Sequence, residues 1–172
     1  MSIKNKDNDN EKCLLIVDVQ KGFINGYTKH ILDNMSNLLE SFNIIFATKF
    51  YNKTGSFYDT LINWGHVRKD TDEFNLAFSP DNKTEIIEKS VYSCVTPDFV
   101  KRLKDNYIEK VYICGIDTDV CVTKCAVDLF ENGIIPIVIE NYCASTAGMQ
   151  AHICGISTIK RYIGSKQVIT FR

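Results

Sequence analysis

Between Val111 and Gly133 the chain permits few local structures. Val111-Tyr-Ile-Cys114 is an apolar run stopped by Gly115, the pattern of a buried parallel strand entering a sharp turn. Thr118 or Asp119 then offers a helix cap, Cys121, Cys125 and Leu129 recur at every fourth residue, and Gly133 suits the position just past a helix. A strand that runs into a helix in this way is half of a parallel βαβ unit. The same alternation recurs along the chain. Strand-like runs stand at Cys13–Val17, Asn43–Thr48, Thr84–Lys89, Ile134–Ile139 and Val168–Phe171. Helical spacing links Ile31, Leu32, Met35, Leu38, Leu39 and Phe42 within His30–Phe42, and again Met149, Ile153, Ile156, Ile159 and Ile163 before Gly164. Thr96 and Pro97 read as cap and first residue of a helix with Phe99, Val100 and Leu103 on its apolar side. The pattern predicts a doubly wound α/β fold: a mostly parallel six-stranded sheet, helices on both faces, right-handed crossovers.

At 172 residues, 45% hydrophobic and 24% charged, the chain suits one domain, expected over residues 13–172 behind a flexible polar tail at 1–12. A formal net charge of -1, with both signs interspersed, gives no footprint for nucleic acid or an anionic membrane. The seven cysteines are an odd number, and Met1–Lys12 has no apolar core for a secretory leader, so reduced thiols and a cytoplasmic location are expected. No apolar run reaches the length of a membrane-spanning helix.

In open parallel sheets, ligands bind outside the carboxyl ends of the strands, so residues just past strand ends are the first to weigh for chemistry. Asp18 follows the first strand, Lys89 ends the third and Cys121 lies in the first turn beyond the fourth. Acidic and lysine side chains mostly face water, and a free cysteine is mostly a small buried hydrophobe. Against that bland reading, a helix N-terminus lowers a thiol pKa and presents N–H groups to an oxyanion, which makes Cys121 a candidate nucleophile. The segment from Lys49 to Asp72 is polar and irregular. It reads equally as a binding loop or as surface, and Phe50, Tyr51, Phe57 and Trp64 within it as a pocket wall or as satellite packing. For Asp119 the helix-capping role is favoured, and for His152 packing on a core-facing helix.

Three ordered stretches give these positions a shared meaning. Leu15-Ile-Val-Asp-Val-Gln20-Lys-Gly-Phe23, Ile87-Glu-Lys-Ser-Val-Tyr-Ser93 and Gly115-Ile-Asp-Thr-Asp-Val-Cys121 resemble the motifs of the isochorismatase-like cysteine hydrolases, which include nicotinamidases. The resemblance runs from about Cys13 to the C-terminus. It implies strand order 3-2-1-4-5-6 and an Asp18-Lys89-Cys121 triad that cleaves the C–N bond of a small carboxamide or carbamoyl substrate through a thioester. It also implies a cis peptide at Ile116-Asp117, an oxyanion site on the backbone N–H groups of Asp117 and Cys121, and a homodimer or homotetramer. Gln20, Phe23, Asn52, Trp64 and Tyr92 are the candidate substrate contacts.

The chain departs from the nicotinamidase pattern where those enzymes bind a metal. They use an Asp-x-His pair after the second strand and a later His, whereas this chain has Phe50-Tyr-Asn52, with His66 alone beyond it. One histidine does not make a zinc or iron site, so no metal and no other cofactor is expected, and nicotinamide itself is a doubtful substrate. Three alternatives stay open: an isochorismatase-type hydrolase acting on another small molecule, a catalytically idle binding protein of this fold, and redox chemistry by Cys121 with Cys125. The last lacks the thioredoxin spacing.

Overall fold

The computed structural model describes residues 12–171, so all but the last residue of the expected 1–12 tail lies outside the described part. Six strands form one sheet in the order β3-β2-β1-β4-β5-β6, and every neighbouring pair is parallel. The strands are β1 (Cys13–Val17), β2 (Ile44–Phe50), β3 (Thr84–Lys89), β4 (Lys110–Ile116), β5 (Ile135–Ala144) and β6 (Val168–Ile169). Between them run α1 (Met35–Glu40), a single turn α2 (Phe57–Thr60), α3 (Pro97–Asp105), α4 (Thr123–Glu131) and α5 (Met149–Ile163). β1 is fully buried along its length, which is why it reads as an unbroken apolar run.

Register assigns the helices to two faces. Leu15 pairs with both Phe46 and Ile113, so Phe46 points to one face and Tyr112, one residue before Ile113, to the other. Phe99 of α3 meets Phe46 edge-on, while Phe42, just past α1, meets Tyr112. Thr96 caps α3 through the Phe99 N–H, with Pro97 at its start, as the sequence predicts.

Three local expectations change. The helix expected over His30–Phe42 is a 3-10 turn at Lys29–Leu32 followed by the short α1. Asn34, at φ -127° and ψ 25°, leaves the helical region between them. Its apolar residues still reach the core, since Ile31, Met35, Leu38, Leu39 and Phe42 are all buried. β5 runs on to Ala144, through most of the expected 140–146 loop, because beyond a register shift β4 offers Gly115 and Ile116 as partners to Cys143 and Ala144. On α5, Ile156, Ile159 and Ile163 are buried but Met149 and Ile153 stand exposed. This helix closes on the molecule at Gly155, where a Cβ would lie 2.7 Å from the Asp119 backbone nitrogen, and only the residues from there onward share the core.

Gly115 is fixed by a closer approach still. It has φ 128°, and a Cβ there would lie 2.1 Å from the Val17 carbonyl oxygen, directly before Asp18. Gly115→Ala is expected to destabilise the fold by about 3 kcal/mol or more, from strain and forced separation of β1 from β4. Urea unfolding reads this as a lower midpoint at constant slope; an unchanged midpoint would mean that the two strands part there at little cost.

Candidate active site

β1 and β4 are adjacent at the middle of the sheet, the point where the strand order reverses, and their carboxyl ends open one crevice. Asp18 leaves β1 at φ 52°, a left-handed conformation that Asp tolerates better than most side chains. Its N–H donates to Thr48 Oγ1 at 2.9 Å, and that hydroxyl donates back to Asp18 Oδ1 at 2.6 Å. Thr48 on β2 thus holds Asp18 by its backbone and by one carboxylate oxygen.

Lys89 comes from the end of β3, two strands away. Its Nζ donates to Asp18 Oδ2 at 2.6 Å and to the carbonyls of Val91 and Tyr92 at 3.1 and 2.9 Å. The ammonium also stands 3.9 Å from Cys121 Sγ. Burial is the largest single influence and opposes its charge, but the carboxylate of Asp18, with Cys121 and Cys125 adding to it, holds the Lys89 pKa above the ordinary lysine value. Asp18, Lys89 and Cys121, distant in sequence, therefore meet within a few ångströms, all of them buried.

Cys121 lies in a π-helical turn, Thr118–Val122, that leads into α4. The peptide between Ile116 and Asp117 is cis, as the resemblance implies. The thiol itself departs from expectation, since its pKa is raised well above normal. Burial is the main cause and the charge of Asp18 the second, with Lys89 opposing both. The favourable helix end does not overcome a site that is 8% exposed and already holds a carboxylate. The contact the geometry gives the sulfur is the Lys89 ammonium, while the neighbouring Asp18 carboxylate favours the protonated thiol. Asp119 does not cap: the residue at the cap position is Asp117, whose side chain makes no capping bond and accepts instead from the Thr146 N–H at 2.5 Å, and among the described residues Asp119 Oδ1 has no hydrogen-bond partner.

Above the sulfur opens a hollow of ≈ 180 Å³, lined by Phe23, Phe50, Tyr58, Ile62, Trp64, Tyr92, Asp117, Val120 and Cys121. Phe23 and Trp64 are stacked, 9° apart in plane, and Tyr58 meets Phe50 and Tyr92 edge-on. A larger hollow of ≈ 500 Å³ lies beside Tyr27, His30, Glu140 and His152. It touches none of the three buried groups, so the smaller hollow is the one joined to reactive chemistry.

Of the candidate contacts, Phe23, Trp64 and Tyr92 line this hollow, and Gln20 and Asn52 do not. Gln20 Nε2 donates to the carbonyls of Phe50 and Phe74, and its Oε1 accepts from the Phe50 N–H, which uses the amide for cross-linking. Asn52 is likewise buried, with Nδ2 bonded to Asp59 and to the Trp64 carbonyl and Oδ1 accepting from Ser56. Phe57 is exposed, and Tyr51 packs edge-on against Phe74 instead of facing the hollow. Tyr58, Ile62 and Val120 also line the hollow and Thr48 holds Asp18, roles that no periodicity in the sequence marks.

The residues at the position where nicotinamidases bind a metal do not fit one. Asn52 has its oxygen and nitrogen engaged, Arg68 places a guanidinium beside it, and His66 Nδ1 faces only Glu73, at 3.1 Å. Among the described residues no three His, Cys, Asp or Glu side chains gather as a metal site. His152, half-buried, bonds Thr118 Oγ1 at 2.8 Å instead. Cys125 is fully buried against Cys94, one helical turn beneath Cys121. Among the described residues no helix is long and apolar enough to cross a membrane.

A family model described as Isochorismatase domain matches residues 12–165. The chain belongs to the isochorismatase family. Its relatives include isochorismatase family protein 1B of Dictyostelium discoideum, 29% identical over 130 residues, covering 70% of this chain and 57% of that one. Isochorismatase family protein 2B of the same organism is 25% identical and covers 95% of this chain and 77% of its own length. The chain thus spans less than three-fifths of protein 1B, which it matches at 57% of that length. Among solved structures, an isochorismatase-like hydrolase from Alkaliphilus metalliredigens superposes at TM-score 0.79 with 18% identity, covering 93% of this chain and 94% of that one. The Pyrococcus horikoshii pyrazinamidase in complex with zinc gives TM-score 0.80 at 20% identity, covering 94% and 99%. At these identities the likeness is one of fold: the six-stranded parallel sheet in the order read here.

Proposed function

We propose that this isochorismatase-family chain is a cysteine hydrolase that cleaves the C–N bond of a small, flat, uncharged carboxamide or carbamoyl compound. The observation that carries the reading is the Lys89 ammonium, 2.6 Å from the Asp18 carboxylate and 3.9 Å from the Cys121 sulfur, beneath an aromatic hollow that ends on that sulfur.

In this mechanism Asp18 takes the thiol proton as the sulfur forms its bond to the carbonyl carbon, and Lys89 keeps the carboxylate oriented while offsetting the negative charge of the site. The carbonyl π electrons move onto oxygen, which the backbone N–H groups of Asp117 and Cys121 receive. As the tetrahedral centre collapses to a thioester, protonated Asp18 gives its proton to the departing nitrogen, releasing ammonia or an amine. Asp18 then removes a proton from water attacking the thioester and returns it to the sulfur as the C–S bond breaks and the acid product forms. A raised thiol pKa suits this sequence, because the proton moves with the attack instead of before it.

The hollow also supports a substrate class. Its ≈ 180 Å³ suits a group of about one ring, five of its nine lining residues are aromatic, and none is Lys or Arg. With a carboxylate, Asp117, on the lining and no cation to pair with an anionic acyl group, neutral aromatic amides are favoured over acidic ones. The residues at the nicotinamidase metal position do not fit an ion that would select a pyridine nitrogen, so benzamide-type compounds should do at least as well as nicotinamide. A panel of such amides assayed for ammonia release tests the reading. Asp18→Asn should lower kcat by about 10²–10⁴-fold, the range for losing a general acid–base group. Ammonia release from none of the panel, or full activity in Asp18→Asn, would count against it.

A further inference from the structure

The chain between Asn52 and Arg68 supplies three residues of the hollow, Tyr58, Ile62 and Trp64, yet it holds just one helical turn. Phe57, Leu61 and Ile62 on it are exposed, and its apolar anchorage is a small cluster in which Tyr58 and Trp64 pack against Phe50, Val67 and Phe74, apart from the main core. Polar bonds close the loop around that cluster. The Asn52 N–H donates to the Val67 carbonyl and Arg68 Nη1 to the Asn52 carbonyl, which ties the two ends together. From Arg68, Nη2 reaches both carboxylate oxygens of Asp59, at 2.7 and 2.8 Å. Asp59 also accepts from the Gly55 N–H and from Asn52 Nδ2, and that same nitrogen donates to the Trp64 carbonyl at 2.7 Å. The ion pair is largely shielded, with side chains 23% and 19% exposed, and every bond in the cluster to Arg68 or Asp59 is charge-assisted.

We propose that Asn52, Asp59 and Arg68 form a clamp that positions Tyr58 and Trp64 as the wall of the acyl pocket, making them specificity-setting positioning residues. Asp59 adjoins Tyr58 in the chain, and Asn52 holds the Trp64 backbone directly, so each end of the wall is fixed by one member of the clamp. The guanidinium joins the two.

Trp64 is the single tryptophan of the chain and reports on the wall through its own emission, whether or not a substrate is known. Asn52→Ala and Arg68→Ala should shift that emission to longer wavelength while far-UV circular dichroism stays unchanged. Only the kinetic arm rests on the amide-hydrolase reading. On an amide that the wild type hydrolyses, KM should rise about tenfold with kcat within about threefold, the split expected when ground-state and transition-state binding fall together. Arg68→Lys, which keeps the charge but not the bidentate fork, should recover part of both. If Arg68→Ala does not fold, Asn52→Ala, which leaves the ion pair in place, decides the question. Unchanged emission and KM in a folded Asn52→Ala protein would overturn the proposal. So would an emission shift when the wild-type protein is treated with a chelator, since the wall would then depend on a bound metal. Failure of every amide in the panel would leave the emission result standing, so the two readings fail separately.

Discussion

Cys121→Ala is expected to lower amide turnover by about 10⁴-fold or more, because a nucleophile that acts as one unit with its base cannot be replaced by binding alone. The fold should survive, since the change removes one sulfur from a site already bordered by a hollow. Ammonia release under single-turnover conditions checks the rate, and mass spectrometry of acid-quenched wild type should find the acyl group on Cys121. Residual activity within about tenfold of wild type would remove sulfur from the mechanism. The wild-type thiol carries its own pH signature. Its folded pKa lies above the ordinary 9.0, so the reactive thiolate is scarce at neutral pH. Alkylation by iodoacetamide should still be accelerating as the pH passes 9.0, where a free cysteine is half ionised. A rate that levels off below that point would mean that Lys89 and the helix end prevail over burial.

Lys89→Met is expected to cost stability as well as activity. The side chains of Lys89 and Asp18 are 4% and 1% exposed, so methionine leaves a carboxylate without a counter-ion inside the protein. Breaking a buried pair from one side costs about 3–5 kcal/mol, and thermal or urea unfolding near neutral pH should read it. The double variant Lys89→Met with Asp18→Asn removes both charges and should be less destabilised than Lys89→Met alone. A double variant as unstable as the single would locate the loss in packing. The sign of the pH dependence follows from Lys89 itself. Its folded pKa is raised above the ordinary 10.5, so the wild-type contribution is fully present at neutral pH and fades only as the pH climbs through the raised value.

Gln20 and Asn52 illustrate where sequence reading ended. Both are polar residues near strand ends, and both looked available to a substrate. Each has its amide engaged inside the protein, Gln20 by Phe50 and Phe74 and Asn52 by Asp59, Trp64 and Ser56. A side chain's hydrogen-bond partners come from wherever the chain returns, and nothing within a few residues of Gln20 announces Phe74. Tyr58 and Ile62 carry no pocket signal in the sequence for the same reason, as a pocket wall assembled from separate loops has no period of its own.

The sequence by itself determined the order of strands and helices, because apolar runs of strand length and stripes at helical spacing are local consequences of burial. It also determined that Asp18, Lys89 and Cys121 sit at or just past strand ends, where a parallel sheet gathers its functional groups. Only the tertiary structure decided their electrostatics and what surrounds them. Thr48 and Lys89 hold Asp18, burial raises the Cys121 thiol, and Arg68 ties the pocket wall. Those outcomes depend on distance and desolvation among groups far apart in the chain, which no local pattern encodes.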